Sequence, residues 1–163
     1  MFLRNAWYAA SWSDDLPAGT PIAKTLLNEP VVLFRIADGT PVALEDRCCH
    51  RAAPLSRGEC IGDHIVCGYH GLRFDLSGAC VEIPGQPAIP PGASVRCYPL
   101  CERHNVVWIW MGDPARADET TIPDYSWLDD SGWVSVKGVI PMKGHYQLLV
   151  DNLLDFSHVT YIH

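Results

Sequence analysis

The sequence predicts a mainly β fold through residue 115, made of antiparallel hairpins packed as a small sandwich, followed by the start of an α+β domain over residues 116–163. Three observations lead there. Short runs rich in β-branched and aromatic residues recur up to Met111, bounded by turn-forming pairs such as Asp38-Gly39, Gly62-Asp63 and Ser77-Gly78. Over residues 112–123 that pattern gives way to charges and prolines, which marks a boundary. Beyond it, leucines at 148, 149 and 153 recur at helical spacing.

Residues 6–12, Ala6-Trp7-Tyr8-Ala9-Ala10-Ser11-Trp12, are aromatic-rich and form the first expected strand. Residues 30–36 are a β-branched and aromatic run that stops at Asp38-Gly39, a favoured two-residue hairpin turn, and residues 41–45 are the return strand. That strand delivers the chain to Cys48. Residues 64–66 form a short strand that leads into Cys67, and residues 72–76 and 80–83 pair around Ser77-Gly78. Residues 84–92 contain four prolines and two glycines, so an ordered surface loop is expected. Strand character resumes over 95–100 and 106–111, with Trp108 and Trp110 on one side. After the boundary, residues 133–140 are expected as a strand and residues 147–158 as an amphipathic helix. The β-branched Val159, Thr160 and Ile162 favour a break after that helix.

At 163 residues and 48% apolar content, the chain can build one domain with an appendage or two small ones. A net charge of −7 argues against nucleic acid and against a membrane surface as partner. No apolar run approaches the roughly 18 residues of a spanning helix. Residues 1–12 show no basic start followed by an apolar segment, so a cytoplasmic location is expected. The seven cysteines read as reduced thiols, not as a disulfide framework. Cys80, Cys97 and Cys101 are expected to pack as small apolar groups.

The chemistry concentrates between residues 48 and 70. Cys48-Cys49-His50 and Cys67-Gly68-Tyr69-His70 each offer one thiolate and one imidazole, with sixteen residues between His50 and Cys67. Two sulfurs and two nitrogens suit either one tetrahedral zinc or a [2Fe-2S] cluster in which two Cys hold one iron and two His the other. The mixed pairs favour the cluster, because zinc fingers usually pair Cys with Cys and His with His. Pro54, Gly68 and Gly71 stiffen or tighten the turns around these ligands. Cys49, His64, His104 and His145 lie outside the ligand register and are expected to be bystanders or structural.

On these residues the chain resembles the Rieske non-haem iron aromatic-ring oxygenases. Cys48-x-His50-Arg51 with Ala53-Pro54-Leu55, and Cys67-x-x-His70-Gly71-Leu72-x-Phe74, are similar to that family's cluster motif at every ligand position. Cys49 departs from it, standing where the family commonly has proline. Respiratory-chain Rieske proteins are less similar, since their loops carry two further cysteines in a disulfide. The resemblance implies a Rieske [2Fe-2S] cluster held by Cys48, His50, Cys67 and His70.

The last stretch resembles the same family's mononuclear iron motif, Asp155-x-x-His158-x-x-x-x-His163. Five helical positions turn through roughly 140°, so a straight helix cannot aim both imidazoles at one ion, and a break before His163 is needed. The resemblance implies that His158 and His163 ligate Fe(II), that Asp155 bridges towards the cluster, and that Asn152 supports the site. Asp155 and Asn152 are thus the expected catalytic residues. In the family the carboxylate ligand comes from a later helix, so the chain is expected to be about half of a longer polypeptide. Gly112-Asp113-Pro114-Ala115 and Asp151-Asn152-Leu153-Leu154-Asp155 look most like the vanillate-type O-demethylases.

The implied function is that of an oxygenase component that removes a methyl group from an aromatic methyl ether, using dioxygen. Its electrons would come from NADH or NADPH through a reductase, directly or by way of a ferredoxin. The implied working form is a homotrimer in which each cluster serves the neighbour's iron. A ring-hydroxylating dioxygenase would use the same metals. A Rieske ferredoxin, which carries electrons without chemistry, would account for residues 1–115 alone.

Overall fold

The computed structural model describes residues 2–162. Ten strands form three antiparallel sheets: β1 (Trp7–Trp12), β2 (Ile22–Leu26), β3 (Glu29–Arg35), β4 (Pro41–Glu45), β5 (Glu59–Ile61), β6 (His64–Val66), β7 (Arg73–Phe74), β8 (Cys80–Glu82), β9 (Leu100–Arg103) and β10 (Val106–Trp110). The sheet orders are β1-β10-β9, β2-β3-β4 and β5-β6-β7-β8. This is the mainly β architecture that the sequence predicts.

The middle sheet organises the rest. Val32 and Phe34 of β3 join Val42 and Leu44 of β4 in one buried cluster, whereas Val31, Leu33 and Ala43 join Val107 and Ile109 in another. Successive strand residues point to opposite faces, so this sheet is covered on both sides. That is why residues 31–34 are an unbroken apolar run instead of an alternating one. All four are fully buried, and each buried large apolar side chain stabilises by roughly 1.5–3 kcal/mol. The first cluster continues through Leu55, Ile65, Leu72 and Phe74 to Cys48 and Cys67, so both ligand loops are rooted in the core. β10 is likewise buried on both sides. Val107 and Ile109 face the second cluster, and Val106 and Trp108 face a third with Ile122, Trp7 and Trp12.

Several expectations are corrected. β2 has no counterpart in the sequence reading, because its hairpin with β3 turns on Leu27 and Asn28 at φ 50° and 65°, without a glycine to announce it. The strand expected over 95–100 is displaced. Glu45 N–H donates to the Arg96 carbonyl at 2.8 Å and Tyr98 N–H to the Ala43 carbonyl at 3.0 Å, which ties this segment to β4. Pro99 has no N–H to continue a ladder, and regular pairing with β10 begins only at Leu100.

The chain divides into two compact units that meet between Ser131 and Gly132, whereas composition alone sets a boundary at 115. Residues 113–131 stay with the first unit. Trp7 Nε1 donates to the Asp118 carbonyl at 2.8 Å, Ile122 is buried, and His104 Nδ1 lies 2.7 Å from Asp129 Oδ2. In the second unit, residues 133–140 are not the expected strand. A strand needs an edge to pair with, and among the described residues these have none, Val134 and Val136 being 96% and 98% exposed. No helix of the described residues is long and apolar enough to cross a membrane.

Candidate metal centre

The two ligand loops leave β4 and β6 and close in the same way. Cys48 N–H donates to the Ala53 carbonyl and Ala52 N–H donates back to Cys48, both at 2.8 Å. In the second loop Cys67 N–H donates to the Leu72 carbonyl at 2.8 Å and Gly71 N–H donates back to Cys67 at 2.9 Å. The residue four positions after each cysteine is left-handed, Ala52 at φ 55° and Gly71 at φ 74°. One cysteine-rooted turn is therefore used twice. It keeps Cys48 and Cys67 in the core and leaves His50 and His70 exposed.

The donors sort by chemistry and depth. The Cys48 and Cys67 thiols are close enough to interact, and the His50 and His70 rings lie 4.7 Å apart, inclined at 60°. Among the described residues no three His, Cys, Asp or Glu side chains converge on a single-ion site. A sulfur pair below a nitrogen pair fits a two-iron cluster with one Cys₂ and one His₂ end better than it fits one tetrahedral zinc. Burial pushes the Cys48 thiol up to about 11, and the Cys67 thiol beside it adds to the rise. Binding iron at this sulfur therefore displaces a proton.

Two supports around the loops were not visible in the sequence. Asp46 is the buried charged side chain among the described residues, at 7% exposure. Its Oδ1 accepts from Ser56 N–H at 2.7 Å and its Oδ2 from the Ser56 hydroxyl at 2.6 Å, clasping the two ends of the first loop. In sequence, Glu45-Asp46-Arg47 looks like a solvated charged turn, and only the position two residues before Cys48 hints otherwise. Asp46→Ala leaves the Ser56 donors without acceptors, at a cost of about 1–3 kcal/mol. The expected result is a lower melting temperature together with less iron and sulfide per chain, and an unchanged melting temperature would show the clasp to be redundant. The second support is a pair of glycines: a Cβ on Gly58 would lie 1.8 Å from the Val66 carbonyl oxygen, and one on Gly68 would lie 2.8 Å from that of Arg57. The turn Leu55–Arg57 thus crosses directly against the second ligand loop.

The imidazole edges open onto a recess of about 530 Å³ lined by Cys49, Leu72 and the proline-rich loop, including Pro84, Pro90 and Pro91. The Tyr69 ring packs 3.8 Å from that of His70. Cys49 contributes to the wall and is exposed.

In the second unit, α1 (Tyr146–Leu154) starts at His145, whose ring accepts from Gln147 N–H at 3.3 Å. His145 therefore caps a helix. α1 stops four residues short of the expected His158. Asp155 takes φ −93° and ψ 91°, and its Oδ1 accepts from Ser157 N–H at 3.0 Å and from the Ser157 hydroxyl. A short carboxylate that bonds an amide two residues on competes with the helix ladder. A tight turn over Phe156–His158 and the short α2 (Val159–Ile162) follow. The helix expected over residues 147–158 is thereby broken at Asp155 rather than beyond His158. The bonds from Ser157 hold the Asp155 carboxyl below the usual range. Asn152 lines a separate recess of about 430 Å³ with Met142, His145, Tyr146 and Leu149. His163 lies outside the described residues. The structure thus brings Cys48 beside Cys67 and His50 beside His70, and among the described residues it assembles no group of three or more metal-binding side chains, in this region or around His158.

Residues 6–99 match the Rieske [2Fe-2S] domain family, and residues 142–163 match the vanillate O-demethylase oxygenase C-terminal domain. The iron-sulfur subunit of a toluene-4-sulfonate monooxygenase system from Comamonas testosteroni is 54% identical, over 100% of this chain and 47% of its own length. The oxygenase component of dicamba O-demethylase from Stenotrophomonas maltophilia is 45% identical, over 99% of this chain and 48% of its own. The crystal structure of dicamba monooxygenase bound to dicamba superposes with a TM-score of 0.93 at 44% identity, covering 99% of this chain and 48% of that one. The chain thus spans about half the length of the relatives it matches.

Proposed function

Since the chain belongs to the Rieske [2Fe-2S] domain family, we propose that it is part of the oxygenase component of a Rieske non-haem iron monooxygenase, with the cluster domain in residues 1–115 and the start of the catalytic domain in 116–163, of which residues 116–131 pack with the cluster domain. The observation that carries this reading is the two-level donor set, paired thiols in the core below paired imidazoles 4.7 Å apart. In it, Cys48 and Cys67 ligate the inner iron of the cluster, and His50 and His70 the outer one. His158 and His163 ligate the mononuclear Fe(II), while Asp155 is an acceptor that bridges towards the cluster and Asn152 supports the site. When bound, these groups supply single electrons and the activation of dioxygen. The protein's own part is to root the thiols in the core, expose the imidazole edges to incoming electrons, and fix the ligand rings through their hydrogen bonds.

The reaction is O-demethylation of an aromatic methyl ether. One dioxygen, two electrons and two protons convert O–CH₃ to O–CH₂OH and water, and the hemiacetal collapses to a phenol and formaldehyde. The match of residues 142–163 to the vanillate O-demethylase family and the similarity to dicamba O-demethylase support this chemistry. Electrons come from NADH or NADPH through a reductase, directly or by way of a ferredoxin, to a cytoplasmic homotrimer. A second reading is hydroxylation of a methyl group with no ether oxygen, because the toluene-4-sulfonate relative shares more identity.

The full-length protein, given a reductase, should release one formaldehyde per vanillate consumed. Toluene-4-sulfonate, offered in parallel, yields no formaldehyde by this route, and turnover of it alone would favour the second reading. A dihydrodiol product would replace both with ring dioxygenation. A reducible cluster with no product from any aromatic would leave only an electron carrier.

A further inference from the structure

We propose that Tyr69 is a positioning residue for the outer end of the cluster: its ring covers the His70 imidazole and lowers the potential at which the cluster takes up an electron. The inference rests on the reading of residues 48–70 as a cluster site. The Tyr69 and His70 rings lie 3.8 Å apart, inclined at 40°. Neighbouring side chains of an extended chain point to opposite sides, but residues 68–70 form a turn, which lets both rings come together. The turn is held at both ends. A Cβ on Gly68 would lie 2.8 Å from the Arg57 carbonyl oxygen, and one on Gly71 would lie 3.0 Å from Pro84 Cγ.

Nothing else in the first unit accounts for where this ring sits. Tyr69 is 63% exposed and belongs to none of the three buried clusters, so burial does not hold it. Its hydroxyl makes no hydrogen bond among the described residues. The hydroxyls of Tyr8 and Tyr98, by contrast, donate to the Leu3 carbonyl and to Glu29, each at 2.8 Å. Tyr69 also stands outside the recess that His50 and His70 line, so its contact with His70 leaves that opening free. The two imidazoles are thereby unequal. His70 meets the rings of both His50 and Tyr69, while among the described residues His50 meets no aromatic ring but that of His70.

An aromatic ring presents a negative π-face, which attracts a positively charged group within about 6 Å of its centre. An imidazole bound to oxidised iron is more positive than one bound to reduced iron, because the metal draws more electron density from the ring. The contact with Tyr69 is therefore stronger before the electron arrives than after it, and this opposes reduction. A leucine in the same place would cover His70 without a π-face. The step itself is a single electron transfer: the donor loses one electron and the cluster gains one, with no bond made or broken.

The test uses the full-length protein with its cluster, titrated with dithionite at neutral pH in the presence of mediator dyes, while electron resonance follows the reduced cluster. Tyr69→Leu should shift the equilibrium about threefold towards the reduced cluster, which is about 30 mV upward at about 59 mV per tenfold for one electron. Tyr69→Phe keeps the π-face and should titrate with the wild type. Tyr69→Trp carries the ring that attracts cations best and should shift the equilibrium about twofold the other way. A wild-type potential in Tyr69→Leu overturns the role of Tyr69. So does an equal shift in Tyr69→Phe, which would place the effect in the hydroxyl and not in the π-face. Should Tyr69→Leu take up no cluster, Tyr69→Trp decides, and a potential at or above that of the wild type overturns the proposal. A wild type without a cluster signal in electron resonance contradicts the cluster reading itself and is thereby told apart from failure of the role of Tyr69.

Discussion

Replacing Gly58 by alanine is expected to destabilise the fold by about 3 kcal/mol or more and to abolish uptake of the cluster. Gly58 has φ −92° and ψ −152°, a conformation any residue adopts, so the backbone angles are not the obstacle. The obstacle is space. An added methyl would lie 1.8 Å from the Val66 carbonyl oxygen and 3.1 Å from the Gly68 nitrogen, both rigid backbone atoms. Relief requires the turn Leu55–Arg57 to move away from the second ligand loop. Because Glu59 pairs with Val66 in the adjoining ladder, that movement is transmitted to Cys67. Iron and acid-labile sulfide per chain, with the thermal transition, measure the outcome. Gly62→Ala is the control. Its added methyl meets nothing within 4 Å, but φ is +58°, so it should cost about 1 kcal/mol and leave the cluster in place. Full cluster content in Gly58→Ala would mean that the crossing is looser than the structure describes.

The contrast between Gly58 and the ligands explains how much was legible in the sequence. Cys48, His50, Cys67 and His70 are legible because few other side chains bind iron, and because their spacing survives whatever the surrounding fold does. The hairpin of β3 and β4 is legible because Asp38-Gly39 announces its turn and burial on both faces makes residues 31–34 uniformly apolar. Gly58 is not, since a glycine required for a close crossing looks the same in sequence as one in an open turn. Asp46 is hidden for a similar reason. A carboxylate is ordinary at a surface, and only the Ser56 donors, ten residues on, give it a reason to be buried. Residues 133–140 show the converse, because their composition suits a strand but among the described residues no partner edge is there to make them one. In the last stretch the spacing of the leucines predicts one helix over residues 147–158, although Asp155 with Ser157 two residues later is also a turn signal. Local capping won there over periodicity.

Asp155→Asn in the full-length protein should keep both metal centres and stop electrons from passing between them. The structure makes this substitution unusually clean. Oδ1 of Asp155 accepts both Ser157 bonds, and the asparagine carbonyl can accept the same pair, so the turn leading to His158 is retained. What asparagine cannot reproduce is a second acceptor oxygen: in its place stands an NH₂ group, which only donates. If Asp155 joins His158 to a cluster imidazole of a neighbouring subunit, either His50 or His70, that bridge needs acceptors on both sides. The bonds from Ser157 also hold the carboxyl below the usual range, so it is ionised throughout the neutral pH region and its charge is available to orient two imidazole N–H groups. In a single turnover with substrate and dioxygen, the wild-type cluster should be oxidised in step with product formation. In Asp155→Asn the cluster should stay reduced and product should fall by about a hundredfold, the upper end of what loss of such a hydrogen-bonding partner costs. Ser157→Ala supplies the complementary case. It weakens the turn but keeps both carboxylate oxygens, so cluster oxidation should persist with at most a modest slowing. Loss of mononuclear iron in Asp155→Asn would make Asp155 a ligand instead of a bridge. Normal coupling in Asp155→Asn but not in Ser157→Ala would reduce Asp155 to a turn former whose partner, rather than whose charge, matters.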